Sequence, residues 1–164
     1  MDRSSGDIQM SAKPDNLIKT VFQSVLKDNG FLKKSDGWYY HEMDSCVMVA
    51  NLQKSNYGEQ YYINFGIWWN ALGKVSYPKH YQCHVGCRIE ELHPKSEKEV
   101  EQLLDLDAPH ADRVGKLTIL INGAINILRK GCATQKSLKE FIKTEKLLAR
   151  KDLSKLLGIK VEED

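Results

Sequence analysis

The amino-acid sequence predicts an α+β domain: a four-stranded antiparallel meander sheet with an N-terminal helix and with C-terminal helices packed mainly on one face. Three observations carry this. Apolar residues recur at helical spacing before residue 30. Aromatic and β-branched runs broken by turn residues fill 37–90. Helix-capping signals and helical periodicity return after residue 96. Consecutive strands joined by short turns pair as antiparallel neighbours, and helices outside the strand block then cover one face of the sheet.

Residues 1–13 are polar and without period, and are expected to form a flexible tail. Leu17, Val21, Phe22, Val25 and Leu26 follow at helical spacing, and Asn29-Gly30 supplies a stop, so a helix is predicted over 14–28. Strands are predicted at 37–42, 45–53, 60–69 and 80–90. The stretches 42–44 and 55–58 can close hairpins, while 70–79 is a longer loop. Two stretches, 96–99 and 137–140, read Ser-x-x-Glu, the capping box in which Ser caps an amide and Glu reaches back. Pro109 suits a helix start. The run 117–128 is apolar nearly all round, which predicts a helix buried on several sides and ended by Gly131. Asp152 and Gly158 bracket a last short helix. The expected division is a single α+β domain over 14–160, with an acidic tail at 161–164.

With 164 residues, 41% of them hydrophobic and 28% charged, the chain is long enough to bury a core without metal or disulfide. A net charge of +2 does not argue for nucleic acid by itself. No apolar run is long enough to span a membrane, the N-terminus lacks the apolar stretch of a secretory signal, and Asn-x-Ser/Thr is absent. A cytoplasmic location is therefore expected, with Cys46, Cys83, Cys87 and Cys132 reduced.

The segments "GFLKKSDGWYY", "VANLQKSNYG", "YYINFGIW" and "CRIEEL", together with the helix before them, resemble a bacterial family known as domain of unknown function 4304. The resemblance covers roughly residues 16–92, and Glu90 stands where the family often has Gly. It implies this strand order and no activity.

Two clusters have the donors of metal sites. His80, Cys83, His84 and Cys87 are spaced as on one face of a helix. The stretch reads as a strand, however, which places Cys83 and Cys87 with Tyr81, Val85 and Ile89 on one face and the histidines on the other. They would not converge on one ion, and buried cysteine packs well as a small hydrophobe. Asp105, Asp107, His110 and Asp112 have oxygen and imidazole donors. The simpler reading is a turn between helices, with Asp107 capping the helix that Pro109 begins. No metal and no cofactor are expected. Gly-x-Ser-x-Gly, a phosphate-binding glycine loop and His-Glu-x-x-His are all absent.

Lys136, Lys139, Lys143, Lys146 and Arg150 recur every three or four residues. They predict a basic stripe along a helix over 136–150 whose other side carries Leu138, Phe141, Ile142 and Leu148. Between 129 and 160 there are ten basic and three acidic residues. The stripe reads as a solvated helix face or as a footprint for nucleic acid.

Period two also sorts the third and fourth predicted strands. Tyr61, Ile63, Phe65, Ile67 and Trp69 form an apolar face. Tyr62, Asn64, Gly66 and Trp68 form the other, matched by Gln82, His84, Gly86 and Arg88. Glycine inside a strand often marks close approach by another group. If the strands pair, Gly66 and Gly86 leave a depression rimmed by Asn64, Trp68, His84 and Arg88, which Asn51 and Gln53 extend. The expected function is a non-catalytic binding or protein-interaction module that uses this open face for a protein, a peptide or a small polar ligand. The alternatives are a small enzyme with His84 as acid/base and Arg88 holding an anion, and a weak nucleic-acid binder through the basic helix.

Overall fold

The computed structural model describes residues 14–93 and 96–160. The tails at 1–13 and 161–164 lie outside the described residues. Helix α1 (Pro14–Asp28) leads into five strands: β1 (Leu32–Ser35), β2 (Trp38–Glu42), β3 (Cys46–Lys54), β4 (Tyr61–Trp69) and β5 (Val85–Arg88). Helices α2 (Glu97–Leu103), α3 (Arg113–Gly131), α4 (Gln135–Glu145) and α5 (Lys151–Leu157) follow. Every strand pairs antiparallel with its sequence neighbour, in the order β1-β2-β3-β4-β5.

The sheet has five strands, not the four expected. The extra strand, Leu-Lys-Lys-Ser, is exposed along its whole length. Its residues lack the alternation by which a half-buried strand is recognised, and its lysines suit an open edge. The fourth expected strand is shorter than 80–90. His80–Gln82 and Ile89–Leu92 are 3-10 turns, and only Val85–Arg88 joins the ladder. Period two therefore restarts at Val85. Val85 and Cys87 face the main core, Cys83 turns to the opposite side of the sheet, and Tyr81 is 72% exposed.

The main core joins the inner face of the sheet (Met48, Ala50, Ile63, Phe65, Ile67) to Phe22 and Leu26 of α1 and to Leu117, Ile121 and Ile125 of α3. α3 is less buried than its composition suggests: Ile119 is 74% exposed. It begins at Arg113, after a left-handed Asp112, rather than at Pro109. Asp107 does not cap it. Instead, Asp105 accepts the Asp107 amide at 2.9 Å, and the Arg113 guanidinium donates to the carbonyls of Asp105 (3.0 Å) and Ala108. Among the described residues no three His, Cys, Asp or Glu side chains form a metal-binding group.

α4 opens one residue earlier than the expected stripe and ends five residues before 150. Its cap is Thr134, whose hydroxyl accepts the Ser137 amide at 3.0 Å while Ser137 accepts the Thr134 amide at 2.9 Å. At the other end Lys146 adopts φ 54°, and the Leu147 amide returns to the Ile142 carbonyl at 3.0 Å. This turn buries Leu147 and leaves Leu148 87% exposed, reversing the assignment of Leu148 to the apolar side. The basic stripe therefore holds Lys136, Lys139 and Lys143 on the helix and Lys146 at its cap. Arg150 belongs to an extended segment that lies against β5.

Candidate site on the outer face of the sheet

Register decides which outward side chains meet. Trp38, Asn51, Asn64 and Arg88 form one row across β2 to β5, and Tyr40, Val49, Gly66 and Gly86 form the next. In a third row Glu42 opposes Val47, which opposes Trp68. Gly66 and Gly86 are thus directly paired. A side chain is excluded at Gly66, where an added Cβ would lie 2.8 Å from the Cys83 Sγ and 3.1 Å from the His80 backbone. The connection between β4 and β5 folds back over the sheet at this point. Cys83 fills the space above Gly66 and, with Tyr40, Val47 and Val49, makes a second small core. That cover explains why Val47 and Val49 are apolar on a face expected to be wet.

The polar residues of this face are organised by hydrogen bonds. The Asn64 amide donates to Asn51 at 2.9 Å and to Gln53 at 3.1 Å, and the Asn51 amide donates to the Gly37 carbonyl at 3.1 Å. Asn51 and Asn64 are buried and Gln53 is exposed. Trp68, half-buried, donates its indole N–H to the Gly73 carbonyl at 2.7 Å. Its ring centroid is 4.2 Å from that of His84.

His84 is only 1% exposed. Its Nδ1 accepts the Trp69 backbone N–H at 2.9 Å, so Nδ1 carries no proton and the neutral ring is the Nε2–H tautomer. Nε2 is buried without a hydrogen-bond partner and points to Asp152 at 3.7 Å, beyond hydrogen-bond length. Burial lowers the imidazole's affinity for a second proton. Asp152 opposes this shift and Arg150 reinforces it. The ring is thus enclosed at the end of β4, with Nδ1 committed to the backbone. Burial also pushes the Cys83 and Cys87 thiols up to about 12, which leaves them protonated and unreactive at neutral pH.

Residues 148–150 bring a second set of groups to the same place. Ala149 forms a bridge with Val85, and the Arg150 amide donates to the His84 carbonyl at 2.8 Å. The Arg150 side chain donates to the Gln82 carbonyl at 3.1 Å and to Asp152 at 2.8 Å, and lies 5.6 Å from the Trp68 ring. Between this segment and β5 runs an open depression of about 430 Å³, lined by Asn64, His84, Gly86, Arg88, Leu148 and Arg150 among others. Arg88 is exposed, and its guanidinium stacks 4.1 Å over the Tyr62 ring. No carboxylate forms an ion pair with it among the described residues.

Four of the seven candidate residues, Asn64, His84, Gly86 and Arg88, therefore meet along one depression. Trp68 packs behind His84, Gln53 joins through Asn64, and Gly66 lies beneath Cys83. The depression is displaced from the glycine pair towards the β5 edge. Sequence reasoning missed Leu148, Arg150 and Asp152 at this site because they arrive from the far end of the chain. It also missed Tyr62, although its outward parity was readable.

The family described as domain of unknown function (DUF4304) matches residues 22–128, more than half of the chain. No curated protein and no solved structure matches it. The chain belongs to this family.

Proposed function

We propose that this family member is a binding module that receives a carboxylate-bearing peptide or small polar ligand in the depression between β5 and residues 148–150. The observation that carries the reading is Arg88: an exposed guanidinium stacked on Tyr62 that makes no ion pair among the described residues, while Glu91, which lines the same depression, is engaged by the Arg88 backbone amide at 2.7 Å. A guanidinium so oriented offers two parallel N–H groups to a carboxylate. Leu148 and Tyr81, 87% and 72% exposed, line the same depression and offer apolar contact beside the charge. Arginine with aromatic neighbours is the composition enriched where binding energy concentrates.

N-acetyl-leucine, which joins a carboxylate to an isobutyl group, tests this against its neutral amide. Titrated into 15N-labelled protein, the acid is expected to shift the amides of Gly86, Arg88 and Ala149 saturably, and the neutral amide is not. Arg88→Ala should abolish the response with its spectrum otherwise unchanged. Equal responses to acid and neutral amide, or an undiminished response in the Arg88 variant, would overturn the proposal.

A further inference from the structure

Two cysteines that play no part in the outer face lie on the opposite side of the sheet with a methionine between them. Cys46 begins β3, Met43 sits in the turn before it, and Cys132 caps the C-terminal end of α3. The Sγ atoms of Cys46 and Cys132 each lie 4.0 Å from the Met43 Sδ. Met43 is the sulfur the two thiols share, and the thiols are close enough to influence each other's ionisation. Both cysteines are 0% exposed, and Met43 is half-buried.

We propose that Cys46, Cys132 and Met43 form a binding site for copper(I). Thiolate and thioether sulfurs are the ligands that select this soft ion. For a metal–sulfur bond of about 2.3 Å, the sulfurs of a trigonal site stand about 4 Å apart. That is the separation already present from the thioether to each thiol, so the ion can enter the triangle with little movement. The elements holding the sulfurs are fixed. The Cys132 amide returns to the Leu128 carbonyl at 2.9 Å, and the Ser45 hydroxyl ties the Cys132 carbonyl to the start of β3 at 3.1 Å. Such support is what keeps a site's ligands in register.

Binding is a ligand exchange without redox change. Copper(I) forms two thiolate bonds and one thioether bond, and the two thiol protons leave to solvent; the Cys46 thiol, raised by its Cys132 neighbour and by burial, gives up its proton only in exchange for the metal. The bound group then carries one negative charge. Arg129, which interacts electrostatically with Cys132, offsets it. Met43, unlike the two fully buried cysteines, also lines a surface depression of about 400 Å³, together with Glu42, Asp44 and Lys74.

The same 4.0 Å separations are ordinary contact for three sulfurs packed as apolar groups, and the test separates the two readings. Reduced full-length protein is titrated with copper(I) against a chromophoric copper(I) chelator under nitrogen. One ion per chain is expected, with mass spectrometry showing the loss of two protons. X-ray absorption of the wild-type complex should show three sulfur scatterers and no nitrogen or oxygen in the first shell. Met43→Leu keeps both thiols and the packing volume. It should weaken binding by at least about tenfold, the lower end of what even outer-shell partners cost. A double Cys83→Ala, Cys87→Ala variant should bind as the wild type does. Failure to compete with the chelator, a first shell containing nitrogen or oxygen, or loss of binding in the Cys83/Cys87 variant would overturn the proposal. The absorption measurement needs no variant, so it stands even if substitution at Cys46 or Cys132 prevents folding.

Discussion

Gly66 and Gly86 oppose each other across β4 and β5, yet only Gly66 is held in close contact by the chain that folds over it. A Cβ at Gly66 would meet the buried Cys83 side chain at 2.8 Å and the His80 Cα at 3.1 Å, and neither can swing away. At Gly86 the nearest atom is the His80 carbonyl oxygen at 3.4 Å. Gly66→Ala is therefore expected to cost about 1–3 kcal/mol, the usual range for overpacking a filled site. Gly86→Ala should stay within about 0.5 kcal/mol of wild type. Urea unfolding of both variants measures the difference. Equal losses would mean that the cover over Gly66 is not rigid.

The buried His84 ring makes stability depend on pH. In the fold its proton affinity is lowered, first by burial and then by Arg150, with Asp152 opposing. In the unfolded chain it titrates near 6.5. Below about pH 6.5 the unfolded chain takes up the proton more readily, so this share of stability is complete above that pH and is lost as pH falls. Burial lowers His80 and His93 in the same direction, and they add to the same acid limb. His84→Gln removes one titrating group and leaves an oxygen to accept the Trp69 amide. Its stability should fall less steeply between pH 7 and 5 than that of wild type. Parallel profiles would show that His84 is not responsible.

The fold class, the order of elements and the inner face of β4 were legible because period two and helical spacing persist over whole elements. What escaped reading was what breaks period locally. β1 is short, polar and exposed. The 3-10 turn at His80–Gln82 ends alternation before β5 and sends Cys83 to the other side. The candidate site was half legible. The outward parity of Asn64, Gly66, Gly86 and Arg88 follows from the strands, but the cover over Gly66 and the arrival of Leu148 and Arg150 are tertiary. The sulfur triangle is hidden for the same reason, since Met43 and Cys132 are 89 residues apart.

Lys146 ends α4 in the left-handed conformation, φ 54°, that glycine adopts without steric cost. A non-glycine residue there costs about 1–2 kcal/mol, and glycine's greater freedom in the unfolded chain returns part of this. Lys146→Gly is expected to raise stability by about 0.5–1 kcal/mol, read as a shift in urea midpoint at unchanged slope. The exposed Lys136 and Lys143 supply the contrast: Lys→Gln at each should change stability by less than about 0.5 kcal/mol. A destabilised Lys146→Gly protein would mean that the turn returning Leu147 to Ile142 is not formed.

Arg150 fastens the C-terminal segment to the sheet, and its side chain does so through groups that lysine cannot imitate. One guanidinium reaches both the Gln82 carbonyl and Asp152 while lying near the Trp68 ring. The side chain is about half exposed, so its ion pair with Asp152 is screened by solvent and worth at most about 1 kcal/mol. The bond to Gln82 adds a charge-assisted contact that holds the 3-10 turn against residues 148–150. Arg150→Ala is expected to cost about 1–2 kcal/mol in total. Hydrogen exchange should quicken at Trp69, whose amide depends on His84 staying in place. Arg150→Lys should recover less than half of the loss, because a single ammonium cannot span both acceptors. Full recovery by lysine would show that charge alone secures the segment. Unchanged exchange at Trp69 in the alanine variant would show that His84 holds its position without it.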